Sequence, residues 1–97
     1  MTDVIWTPPA EAELEAIAEY IAKDNPAAAV RVARTVRESA ALLVDFPNRG
    51  RHGRIGNTRE LPVLRTRYII SYRVTGDTVW VVSVFDSARE DPTEALH

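Results

Sequence analysis

Arginine dominates the side chains of this sequence that could do chemistry. Ten arginines fall between residues 31 and 73, whereas the only lysine is Lys23 and the only histidines are His52 and His97. A guanidinium stays protonated at any physiological pH and pairs with carboxylates or phosphates, so this set suits gripping an anionic partner better than moving protons. The acid–base alternatives are few. His97 is the last residue of the sequence, and His52 stands in a Gly/Arg-rich stretch, where an exposed imidazole with no catalytic partner is expected. Ser39, Ser71, Ser83 and Ser87 have no neighbouring histidine to activate them. The carboxylates lack metal-ligand spacing, and the absence of cysteine removes thiolate ligation and disulfides. No metal site, cofactor or catalytic residue is therefore expected. Gly50, Gly53 and Gly56 recur every third residue, but ahead of a strand rather than a helix, so no phosphate-binding nest follows.

Charge is unevenly distributed along the chain. The formal net charge is -2, yet residues 1–30 carry one Lys against six acidic residues, residues 31–73 carry ten Arg against three, and residues 74–97 carry one Arg against five. A basic middle between acidic ends attracts an acidic or phosphate-bearing partner despite the low overall charge.

The elements that position these residues follow from spacing. Thr7-Pro8-Pro9 is a helix start, with Thr as N-cap and prolines in the first turn. Ala10, Leu14, Ile17, Ala18 and Ile21 then form one apolar stripe. Asn25-Pro26 caps a second helix, expected to run to about Val44, whose seam is Ala29, Ala33, Val36, Ala40 and Leu43. Phe46-Pro47 stops it, and Arg49 to Asn57 reads as a loop. From Thr58 the period becomes that of strands: Arg59 to Leu64, Tyr68 to Thr75 and Thr78 to Asp86, the last two joined by Gly76-Asp77 as an antiparallel hairpin. Val79 to Phe85 is apolar on both faces and reads as a central strand, while Val4-Ile5-Trp6 adds a short edge strand. The expected fold is α+β: an N-terminal edge strand and a helical hairpin packed on a small antiparallel sheet, in the order β-α-α-β-β-β.

At 97 residues with 45% apolar content, one domain over residues 1–97 is expected, with a modest core. The N-terminus has no basic region followed by an apolar run, and no window is apolar enough to cross a bilayer, so a cytoplasmic protein without membrane contact is expected.

The run Thr58-Arg59-Glu60-Leu61-Pro62-Val63, then Arg67-Tyr68-Ile69-Ile70-Ser71-Tyr72-Arg73-Val74, then Val81-Val82-Ser83-Val84-Phe85-Asp86-Ser87-Ala88-Arg89, resembles the ParE/RelE toxin superfamily. Asn25-Pro26-Ala27-Ala28-Ala29 and Leu42-Leu43-Val44-Asp45-Phe46-Pro47 resemble its helical hairpin, so the likeness extends from about Pro8 to Pro92. It implies the toxin of a type II toxin–antitoxin module, held inactive in a hetero-oligomer by a ParD-like ribbon-helix-helix antitoxin. The long hairpin places it on the ParE side, whose members inhibit DNA gyrase and arrest growth, meeting DNA only through gyrase or the antitoxin. Two alternatives stand beside it: a RelE-like ribosome-dependent mRNA endonuclease, and an inactive antitoxin-binding module.

The residues weigh against the endonuclease. RelE-like enzymes use lysines and arginines on the sheet with a tyrosine near the C-terminus, but no Tyr follows Tyr72, and Asp86 stands where many relatives carry His. The sheet arginines therefore fit binding: Arg65, Arg73 and Arg89 toward antitoxin carboxylates, and Arg59, Arg67 and Arg89 toward the target. A mixed stripe on the second helix, Val30-Arg34-Arg37-Ala41-Val44, suits an amphipathic antitoxin helix, with Tyr20 and Leu42 expected near the same groove.

Overall fold

The computed structural model describes residues 2–88. In order, these form β1 (Asp3–Trp6), α1 (Pro8–Ala22), α2 (Pro26–Ala41), a single 3-10 turn (Leu42–Val44), β2 (Arg51–His52), β3 (Arg59–Pro62), β4 (Tyr68–Thr75) and β5 (Thr78–Asp86). The helical hairpin lies on one face of a five-stranded sheet ordered β1-β5-β4-β3-β2, a mixed α+β architecture.

Both helix starts are capped as their residue types dictate. Thr7 Oγ1 accepts from the amide of Ala10 at 3.4 Å, and Asn25 Oδ1 accepts from that of Ala28 at 3.0 Å. Thr7 also ties the helix to the sheet, since its amide and hydroxyl both donate to the Val81 carbonyl, at 3.0 and 2.8 Å. Ala10 and Leu14 of α1 meet Val36 and Ala40 of α2 in the core, with Leu43 closing its end. The small alanines let the helices approach closely.

Three features depart from the sequence expectation. The sheet is not wholly antiparallel, because β1 pairs parallel with β5. The whole hairpin and the other strands lie between them in the chain, which supplies the long crossover a parallel pair requires. The expected loop over 49–57 contains β2, pairing Arg51 with Glu60 and His52 with Arg59. Two exposed polar residues give no apolar period to read. Finally, α2 ends at Ala41 and tightens into the 3-10 turn, while β3 stops at Pro62, which has no amide to extend a ladder.

The apolar run of β5 has a geometric cause. Tyr72 pairs with Val81 and Ser71 with Ser83, so Val82 is an extra residue in a bulge. The shift lets Val79, Val81 and Val84 all face the helices, where strict alternation would have turned Val84 away. Gly76, at φ 59°, takes the left-handed position of the two-residue β4–β5 turn. Among the described residues no helix is long and apolar enough to cross a membrane.

Candidate functional site

Two surfaces carry the cationic side chains: the outer side of α2 and the sheet with its connecting turns. On α2, Val30, Arg34, Arg37 and Ala41 are all exposed, one step round the helix from the buried seam, and Val44, in the 3-10 turn that follows α2, is exposed as well. Arg34 has no ion pair or hydrogen bond among the described residues. Arg37 is already engaged. Its two terminal nitrogens donate to the Glu11 carboxylate at 3.1 and 2.8 Å, and its guanidinium carbon stands 4.9 Å from the centre of the Trp6 ring. One side chain thereby links α2, α1 and β1.

The Arg37 hydrogen bonds hold the Glu11 carboxyl below its ordinary range and push the guanidinium up. A depressed carboxylate stabilises the fold above the unfolded-state pKa of about 4.3, and that contribution disappears as pH falls through the folded value. Both groups are about half exposed, with side-chain accessibilities of 45% and 50%, so solvent reduces the pair to roughly 0.5 kcal/mol. Glu11→Gln is therefore expected to unfold at lower urea than the parent at pH 6, with the difference shrinking as pH falls below the ordinary carboxylate pKa of about 4.3.

Tyr20, on α1, is 70% exposed, and Leu42, beyond the end of α2, is 47% exposed. They do not share a groove. The helices are antiparallel and Tyr20 sits beside their connection, so Leu42 is about 20 Å away along α2.

The sheet arginines separate into held and projecting groups. Arg59 donates to the carbonyls of Gly50 at 2.8 Å and Asn48 at 3.4 Å, stapling the 48–50 segment to β3. Arg67 Nε lies 2.8 Å from Asp86 Oδ2, and the bond and charge of Asp86 raise its pKa further. Asp86 also accepts from the Ala88 amide at 2.9 Å, closing the end of β5. Arg73 is exposed and directed away from the helices, opposite the buried Tyr72. Arg65 is exposed in the β3–β4 turn at φ 66°. Arg89 lies outside the described residues.

Sequence reasoning missed Glu60. Its register partner Ser71 and its opposition to the core residue Leu61 turn it away from the helices, yet it is only 2% exposed. One carboxylate oxygen lies 3.7 Å from Arg51 and 3.8 Å from Arg54, and the other accepts from the Arg54 amide at 3.1 Å. A glutamate in an alternating strand reads as solvated, and the cations that enclose it come from a segment with no regular period.

The groups that could transfer protons are poorly placed for it. Burial raises the pKa of the Tyr68 and Tyr72 hydroxyls. Tyr72 is fully committed, accepting from the Gly50 amide at 2.8 Å and donating to the Pro47 carbonyl at 2.9 Å. His52 is exposed on the two-residue edge strand, and no cluster of potential metal ligands occurs among the described residues. The arrangement can bind anions.

Comparison with known proteins decides the family. Residues 4–91 match the model of the ParE toxin of the type II toxin–antitoxin system parDE. The chain belongs to the ParE toxin family. It is 39% identical over 87 residues to the putative toxin Y4kP of Sinorhizobium fredii, covering 90% of each chain. It is 38% identical over 89 residues to toxin RelE2 of Caulobacter vibrioides, covering 92% of this chain and 99% of the relative. A solved structure of the chromosomal ParDE toxin–antitoxin system from P. aeruginosa superposes with a TM-score of 0.81 at 24% identity, over 89% of this toxin and 96% of that chain. This ParE toxin therefore shares that fold, hairpin and sheet together.

Proposed function

We propose that this type II toxin acts in the cytoplasm by inhibiting DNA gyrase, thereby arresting growth, and that a ParD-like antitoxin neutralises it by laying an amphipathic helix along α2. The observation carrying the reading is the α2 stripe. Val30 and Val44 are apolar and exposed at its two ends, at 59% and 37%, and the unpaired Arg34 lies between them. Such a stripe is matched by a helix with apolar residues at turn spacing and carboxylates between them.

An inhibitor that binds fits the chemistry better than a nuclease. Attack by a ribose hydroxyl on phosphate needs a group to take its proton and one to protonate the leaving oxygen. Among the described residues, the titratable groups beside the sheet cations are Asp86 and Glu60, each ion-paired with arginine, the exposed His52 of the edge strand, and Tyr68 and Tyr72, whose hydroxyl pKa burial raises. The name of the Caulobacter relative, toxin RelE2, makes ribosome-dependent mRNA cleavage the competing reading.

The test is a supercoiling assay with purified gyrase, relaxed plasmid and ATP. Added toxin is expected to block supercoiling or to accumulate cleaved plasmid, and the antitoxin encoded beside it to restore activity. Message cut on translating ribosomes, with gyrase unaffected, would replace this reading by the nuclease. If neither occurs while the antitoxin still binds, the chain is an inactive binding module.

A further inference from the structure

Arg59 is a half-buried cation that no carboxylate meets. The ion pairs among the described residues engage Arg37, Arg51, Arg54 and Arg67. Arg59 instead donates from Nη1 to the carbonyls of Gly50 and Asn48. Two carbonyls fix the guanidinium without neutralising it, and its three remaining N–H groups, on Nε and Nη2, have no acceptor among the described residues. A charge partly withdrawn from water favours an opposite charge beside it.

Arg59 lines a pocket of about 430 Å³ together with Asn48, His52, Asn57 and Val74. His52 is its register partner across β2 and β3, so the two side chains rise from the same face of the sheet. Asn57 comes from the β2–β3 loop, which is fixed by other groups: the Gly53 amide donates to the Thr58 carbonyl at 2.8 Å, and the Thr58 hydroxyl to the Ile55 carbonyl at 2.6 Å. The side chains of Asn48, His52 and Asn57 are exposed and make no hydrogen bond among the described residues. No acidic side chain among those residues lines the pocket. Between residues 46 and 76 Glu60 is the only carboxylate against seven arginines, and it faces the other side of the sheet, beside Arg51 and Arg54. We propose that this pocket binds a phosphomonoester, with Arg59, His52 and the amides of Asn48 and Asn57 donating to its oxygens and Val74 underlying the group that carries the phosphate. Donors from three separate segments suit the three oxygens of a phosphate, with its charge of about -1.5 to -2 at neutral pH, better than the two of a planar carboxylate. The volume lies within the roughly 300–1,000 Å³ of small-molecule sites, so the pocket holds more than the ion. The assignment rests on neither the gyrase nor the antitoxin reading.

Nuclear magnetic resonance of the isotope-labelled free toxin, titrated in low-salt buffer with inorganic phosphate, adenosine monophosphate and adenosine, tests the site. Phosphate and the nucleotide are expected to shift the Arg59 Nε–H signal and the backbone amides of His52 and Asn57, with Kd on the order of 1 mM, and adenosine to shift none of them. A nucleotide tighter than phosphate would identify nucleotides as the source of the group, and equal affinities free phosphate; either supports the site. His52→Ala and Asn57→Gly are each expected to weaken phosphate binding about tenfold, the loss of one charge-assisted contact. Their melting temperatures should stay within about 2 °C of the parent, because neither side chain supports the fold and glycine accepts the φ of 64° at position 57. Arg59 is kept in both variants because it also staples the 48–50 segment. No shift with phosphate or nucleotide at about 10 mM, or undiminished affinity in both variants, would overturn the proposal. Equal binding of a short oligonucleotide without a terminal phosphate would overturn it too, since a phosphodiester would then serve as well as a monoester.

Discussion

Gly50→Ala is expected to lower the stability of this toxin by about 3 kcal/mol, the sum of overpacking and lost hydrogen bonding at one site. A methyl group at Gly50 would sit 2.7 Å from the Tyr72 hydroxyl oxygen, 2.8 Å from its ring carbon Cε1 and 3.0 Å from the Glu60 carbonyl oxygen. None of these can retreat cheaply. Tyr72 is fully buried, its hydroxyl bridges the Gly50 amide and the Pro47 carbonyl, and Glu60 is locked in the β3–β4 ladder. For a domain of this size the loss corresponds to roughly 15 °C in melting temperature. Tyr72→Phe alone leaves the Gly50 amide and Pro47 carbonyl without their partner and costs about 2 kcal/mol. In the double variant the two losses overlap, because the hydroxyl that clashes with the new methyl is also the one whose bonds are already gone. Urea unfolding of all four proteins decides it. Strict additivity would show that the hydroxyl is not the obstacle, and a neutral Gly50→Ala would show that the segment has room to move.

That site also shows where the sequence could be read and where it could not. The starts of both helices, the seam of α2 and the β4–β5 hairpin rest on local rules: Thr7 and Asn25 as caps, apolar residues every three or four positions, and Gly76 at a left-handed position. Each is decided within a few residues of chain, so periodicity and turn chemistry suffice. The missed features are decided by distant partners. The two residues of β2 are a strand only because β3 lies beside them, and β1 is parallel only because the chain returns past it at β5. Glu60 is buried because Arg51 and Arg54 fold over it, and Gly50 is required because Tyr72, 22 residues on, reaches back to its amide. The arginines of the candidate site divide the same way. Their types lead to the expectation of an anionic partner, but only the structure distinguishes Arg59 and Arg67, drawn into the fold by the Gly50 carbonyl and Asp86, from Arg34 and Arg65, which project from it.

The distinction determines which charge reversal tests antitoxin docking. Arg34→Glu is expected to reduce antitoxin affinity by at least about 100-fold, because a like charge set against the partner's carboxylates costs several kcal/mol at an interface. Its effect on the free toxin should stay within about 0.5 kcal/mol, since the side chain is exposed and supports nothing in the fold. Arg37 is the less informative position despite sharing the stripe. Reversing it would set a second carboxylate against Glu11 and remove the cation from the Trp6 ring, so any loss of binding would be mixed with a loosened junction between β1 and the hairpin. Titration calorimetry at two salt concentrations separates the contributions: the Arg34→Glu deficit should shrink as salt rises, because the contact is solvent-accessible and screened. Full affinity in Arg34→Glu at low salt would remove the antitoxin from the outer side of α2, leaving the stripe as solvated surface.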